Sequence, residues 1–146
     1  MKKKEIRAAL DAMRKVKVAS IENKDIRNSF IDAHLCLLAE QRKFETEYSD
    51  MRTAFLESYN DEQDVVVKLQ EKLSYETDPK KRNELAAQIA EHDKYLLAVR
   101  EFNTMAEKMG EEEIKVKPID MGTFVAEYQK QDYDMGVVEA LFPLFA

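Results

Sequence analysis

The chain has 146 residues, 36% of them charged and 45% hydrophobic, and a net charge of −6. That is one domain's worth of chain, 1–146, long enough to bury a core without staples. Its single cysteine, Cys36, excludes an internal disulfide framework and a four-cysteine zinc site, and fits a reducing, cytoplasmic compartment.

Residues 1–20, MKKKEIRAALDAMRKVKVAS, begin like a signal peptide, but Asp11, Arg14 and Lys15 interrupt the stretch that should be apolar. Ile6, Leu10, Met13 and Val16 or Val18 instead have helical spacing with charges opposite, which predicts a helix over 3–17. Ser20 to Asn23 reads as a joint, and either end residue can cap the next helix with its side-chain oxygen. The first breaker is Pro79; the other five are Gly110, Pro118, Gly122, Gly136 and Pro143. The first half is therefore free to be helical.

From Lys24 the helical signal is strong. Phe30, Leu37, Phe44 and Met51 recur every seven residues, with Tyr48 and Phe55 as a second line. The polar stretch 60–64 is a candidate loop, yet the phase survives it through Tyr59, Gln63, Val66, Leu69 or Gln70, and Leu73, so one helix over 24–76 is favoured. Asp78 then stands as an N-cap with Pro79 at the first helical position. A second helix is predicted over 79–109, with Leu85, Ile89, His92, Leu96, Val99 and Ala106 on one seam and Gly110 as its left-handed stop.

So short a connection makes the two helices antiparallel. The second can cover only residues 46–76 of the first. Residues 30–39, FIDAHLCLLA, are apolar on nearly every face and call for neighbours on several sides. Only the N-terminal helix and the tail can supply them. Within the tail, Ile114, Val116 and Ile119 alternate with lysines as a short extended or β segment near 114–119, limited to an edge by Pro118. Thr123 is a candidate cap for the stretch that follows. The predicted fold is mainly α: a long antiparallel helical hairpin with a coiled-coil-like stalk at 46–109. A small head joins 1–45 to 110–146, made from the N-terminal helix, the base of the long helix and the tail.

No segment approaches the roughly 20 apolar residues of a membrane-spanning helix, so a soluble protein is expected. Residues 1–27 carry +5 and the remainder −11. Lys2, Lys3, Lys4, Arg7, Arg14, Lys15 and Lys17 are therefore candidate anion contacts, for nucleic acid or for the chain's own acidic body. The latter is favoured, because the global charge repels phosphate. His34 and His92 have no ligand type three or four residues away, which argues against a metal pair. Cys36 lies in an apolar stretch, which argues against a nucleophilic thiol. Three isolated glycines build no phosphate loop, and no nucleophile elbow is present. No catalytic residue, metal or cofactor is assigned.

Arg27, Phe30, Ala33, Leu37, Phe44 and Tyr48, followed by Glu113 to Met121 in EEEIKVKPIDM, carry a resemblance. They are similar to a loosely defined group of small phage- or prophage-encoded helical-hairpin proteins of unknown function. The resemblance implies an accessory role in phage or mobile-element biology and no catalytic residues. The leading expectation is a non-enzymatic protein that binds a partner or itself, with a homo-oligomer plausible. Leu141, Phe142, Leu144 and Phe145 are its candidate interaction residues, and docking of this tail within the chain is favoured over docking into a partner. A nucleic-acid-associated protein using the basic N-terminal helix is the alternative.

Overall fold

A breaker-free chain with a continuous heptad stripe has no local reason to leave the helix, and it does not. In the computed structural model, which describes residues 1–145, one helix α2 runs Lys24–Tyr75 straight through 60–64. Ahead of it, α1 spans Ile6–Met13; behind it come α3, Pro79–Ala90, α4, Asp93–Glu111, α5, Met121–Tyr128, and α6, Met135–Leu141. The chain is mainly α, and among the described residues no helix is long and apolar enough to cross a membrane. It divides into two compact units, Met1–Thr46 with Lys108–Ala146, and Glu47–Glu107.

The second unit is an antiparallel helical hairpin. Asp78 accepts a hydrogen bond from the Lys80 N–H at 3.1 Å with Pro79 at the first helical position. Arg82 donates back to the Leu73 and Glu76 carbonyls at 2.8 and 2.7 Å, closing the turn. Up the seam, His92 meets Glu62, Tyr95 meets Tyr59 and Phe55, and Phe102 meets Phe55 and Tyr48. The expected second helix is interrupted at Glu91 and His92, where the backbone tightens and His92 N–H donates to the Ile89 carbonyl. No glycine or proline marks this break.

The first unit is built around Ile6, Leu10, Met13, Phe30, Leu37, Phe124 and Leu141, all buried. The predicted helix over 3–17 is shorter: a 3-10 turn at Lys3–Glu5 leads into α1, which ends in i→i+3 bonds at Lys15 and Val16. Gln131 fixes that end, its amide receiving the Lys17 N–H at 2.9 Å and donating to the Lys17 carbonyl at 2.8 Å. Of the two proposed caps for α2, Asn23 is the one used, its side-chain oxygen accepting from the Asp25 and Ile26 N–H groups at 3.1 Å each. The cap of α5 is Asp120, not Thr123. The carboxylate stands before the first turn and accepts both the Thr123 N–H, at 2.9 Å, and the Thr123 hydroxyl, at 2.5 Å. Residues near 114–119 are extended without forming a strand, held by isolated bridges from Lys2 to Glu113 and from Ile119 to Phe145.

Gly110 differs from its predicted role. It is buried inside α4, and no glycine among the described residues has positive φ. A Cβ there would stand 3.4 Å from the Lys4 Cβ, an ordinary contact. Gly110→Ala is therefore expected to raise stability, by up to about 1 kcal/mol through the lower entropy cost of alanine in a helix. A lower urea midpoint for this variant would mean the left-handed stop is real.

Candidate interaction surface

The basic N-terminal arm lies on acidic residues of its own unit. Lys3 N–H donates to the Glu112 carbonyl and Ile114 N–H to the Met1 carbonyl, both at 2.9 Å, which sets the two segments side by side. Lys2 Nζ is 2.6 Å from Glu111, Lys3 Nζ is 2.5 Å from Glu112, and Lys4 also pairs with Glu111. Hydrogen bonds from Lys2 and Lys4, reinforced by their charges, hold the Glu111 carboxyl far down, at about 2, and the same contact raises the Lys2 ammonium. Arg14 pairs with Asp11 at 3.4 Å. Arg7 and Lys15 are exposed and carry no ion pair among the described residues.

A depressed carboxylate stabilises the fold above its unfolded value and stops doing so as pH falls through its folded value. The Glu111 contribution is thus present above about 4.5 and lost progressively toward about 2. Glu111→Gln is expected to be less stable than the parent at pH 7, with the gap narrowing over that interval and shrinking in high salt because the group is exposed. Parallel urea titrations at pH 7, 4 and 2.5 check this; a gap that stays constant with pH removes the ion pairs from the account.

The four candidate residues of the tail part company. Leu141 and Leu144 are buried in the core of this chain, Phe145 is partly buried against Phe124 at 5.5 Å, and Phe142 is 48% exposed. The tail's principal seat is α1. On the inner side of residues 30–39, Phe30, Ala33 and Leu37 share one core with Leu10, Leu141 and Leu144, and the Phe124 ring of α5 stacks parallel to Phe30 with centroids 5.8 Å apart.

That arrangement leaves one side of residues 30–39 uncovered. Ile26, Phe30, Ala33 and Leu37 form the buried face of α2. On the opposite face, at steps of four and three, Ile31, Leu35 and Leu38 are 39, 61 and 42% exposed. A stretch apolar on nearly every face calls for neighbours on several sides. The inner side has them, in the core shared with α1, α5 and the tail, and the outer side does not. Exposed Lys24 and Arg42 fall on the same line, one beyond each end of the apolar run. At the Arg42 end a groove opens between α1 and α2. Leu10, Leu38 and Ala39 are its apolar members, and Arg14, Arg42 and Lys43 stand with Glu45 along it. Arg7 and Asp11 extend it along α1.

Comparison with family models, with curated proteins and with solved structures finds no match.

In the second unit, among the described residues, only Val66 and Tyr95 are buried hydrophobics, and the rest of the seam is half-buried or exposed. His92 Nδ1 lies 2.9 Å from Glu62 Oε1, while burial, and then Glu62, pushes the Tyr95 hydroxyl above its ordinary value. An open cleft near the hairpin turn lies between Tyr75 and Leu85 and is walled by charges of both signs. His34 rests edge-on against Phe30 at 6.3 Å, and Cys36 Sγ is 3.9 Å from the Lys115 carbonyl. Among the described residues no three His, Cys, Asp or Glu side chains converge as a metal site would require.

The sequence did not single out Ile31, Leu35 and Leu38, although their helical spacing was visible in FIDAHLCLLA. Spacing alone does not tell which of the two apolar sides of this stretch the core takes.

Proposed function

We propose that the chain is a non-enzymatic protein-interaction or assembly factor of the cytoplasm, acting in phage or mobile-element biology. The observation that carries the interaction reading is the exposed Ile31, Leu35 and Leu38 line, backed on the same helix by a fully packed face. An apolar row held rigid in this way loses little entropy when a partner covers it. The half-buried seam of the hairpin offers a second helical face of the same kind. Support for the mobile-element setting comes from the resemblance carried by Phe30 to Tyr48 and Glu113 to Met121.

Crosslinking in the native host, with size-exclusion and light scattering on the purified chain, tests the reading. A strict monomer that crosslinks to nothing would sink it. The alternative, nucleic-acid binding through the N-terminal helix, must work chiefly with Arg7, Lys15 and Lys17, because Lys2, Lys3 and Lys4 are engaged by Glu111 and Glu112 and Arg14 by Asp11. Duplex binding that weakens steeply with salt and vanishes on deleting residues 1–17 would favour it instead.

A further inference from the structure

We propose that the surface running from the α1–α2 groove along the outer face of α2 docks an acidic amphipathic helix of a partner protein. The inference rests on the interaction reading above and adds the partner's chemistry. Charge is the first argument. The whole chain carries −6, yet the groove presents Arg7, Arg14, Arg42 and Lys43 against only Asp11 and Glu45. Asp11 is already paired with Arg14, Lys43 reaches Glu40 at 3.5 Å, and Glu45 accepts from the Gln41 amide at 2.8 Å. Arg7 and Arg42 are left without an ion pair among the described residues and face solvent.

The second argument is shape. Leu38 belongs both to the groove and to the exposed line, so the basic patch and the apolar row are continuous. The line begins beyond Lys24 and ends before Arg42, a distance of about 27 Å along a helix at 1.5 Å per residue. A ligand helix of about 18 residues matches that length. Its apolar residues at i, i+4 and i+7 would lie on Ile31, Leu35 and Leu38, with carboxylates at its ends meeting Lys24 and Arg42. Asp32, exposed beside the line, keeps acids out of the ligand's middle. A phosphate backbone would satisfy the cations but leave the three apolar side chains wet, which is why a protein helix fits better than nucleic acid.

The test is fluorescence anisotropy with the full chain and a labelled 18-residue helical peptide. It carries leucines at that spacing and glutamates at both ends; a peptide with lysines replacing the glutamates and a short DNA duplex serve as competing probes. The glutamate peptide is expected to bind, more weakly as salt rises. Leu35→Asp and Arg42→Glu are each expected to weaken it about tenfold or more, with helical circular dichroism unchanged because both side chains are exposed. Tyr75→Ala, in the other unit, should change nothing.

No binding of the glutamate peptide, equal binding of the lysine peptide, or displacement by the duplex overturns the proposal. Dissociation of a homo-oligomer by Leu35→Asp also overturns it, by making a second copy the occupant. A partner crosslinked in the host and retained equally by Leu35→Asp removes this docking site while leaving the interaction reading intact. A monomer that crosslinks to nothing removes both.

Discussion

Deleting residues 137–146 is expected to cost at least about 6 kcal/mol, enough to unfold the first unit at ordinary temperature. Val137, Val138, Leu141 and Leu144 are all buried, and each fully buried side chain of this size contributes about 1.5–3 kcal/mol. Their loss would also uncover the side of α1 that packs on α6 and break the 2.8 Å bond from Ile119 N–H to the Leu144 carbonyl. Single substitutions divide the effect. Leu141→Ala should cost about 2–5 kcal/mol, whereas Phe142→Ala, half in solvent already, should stay within about 1 kcal/mol. Urea denaturation followed by far-ultraviolet circular dichroism gives all three values. A deletion that leaves the midpoint in place but dissolves an oligomer would place the tail's contribution in an interface instead.

The same tail shows which parts of the architecture are legible in a sequence. A heptad stripe from Phe30 to Leu73 dictates one helix because each apolar residue needs the next on the same face, and no breaker intervenes. The Asp78–Pro79 pair starts the return helix by local chemistry, so that too could be read. What could not be read depended on tertiary choice. The interruption at Glu91 and His92 coincides with the contact to Glu62, thirty residues away, and carries no glycine or proline signal. Gly110 resembles a helix stop in sequence, yet the backbone stays helical where Lys4 comes close. Thr123 and Asp120 are both able to cap, and only the register of α5 decides between them. The interaction surface belongs to this second class. Residues 30–39 are greasy on two sides, and which side stays open depends on the tertiary core that Phe30, Ala33 and Leu37 share with α1, α5 and the tail. The sign of the groove was half visible, since Arg7 and Arg14 stood out in the basic arm, but Arg42 and Lys43 come from another helix altogether.

Phe30→Ala is expected to be the most damaging single substitution, at about 3–5 kcal/mol. The side chain is fully buried on the inner face of α2, its ring parallel to Phe124 within 2° and edge-on to His34. Phe124 in turn stacks on Tyr128 at 5.8 Å and touches Phe145, so the ring of α2 is the first of a stack that ties α5 and the tail to the long helix. Removing it leaves a cavity that rigid helices on both sides cannot close. Phe30→Leu, which keeps most of the volume, should cost less than half as much. A double-mutant cycle with Phe124→Ala should return a coupling of about 0.5–1.5 kcal/mol beyond area burial, the range of a stacked aromatic pair. Strict additivity would deny the stack any share in holding α5. Because Phe30 and Leu35 face opposite ways on one helix, the pair also separates two properties. Phe30→Ala should lower stability, and Leu35→Asp should lower binding while leaving the fold in place.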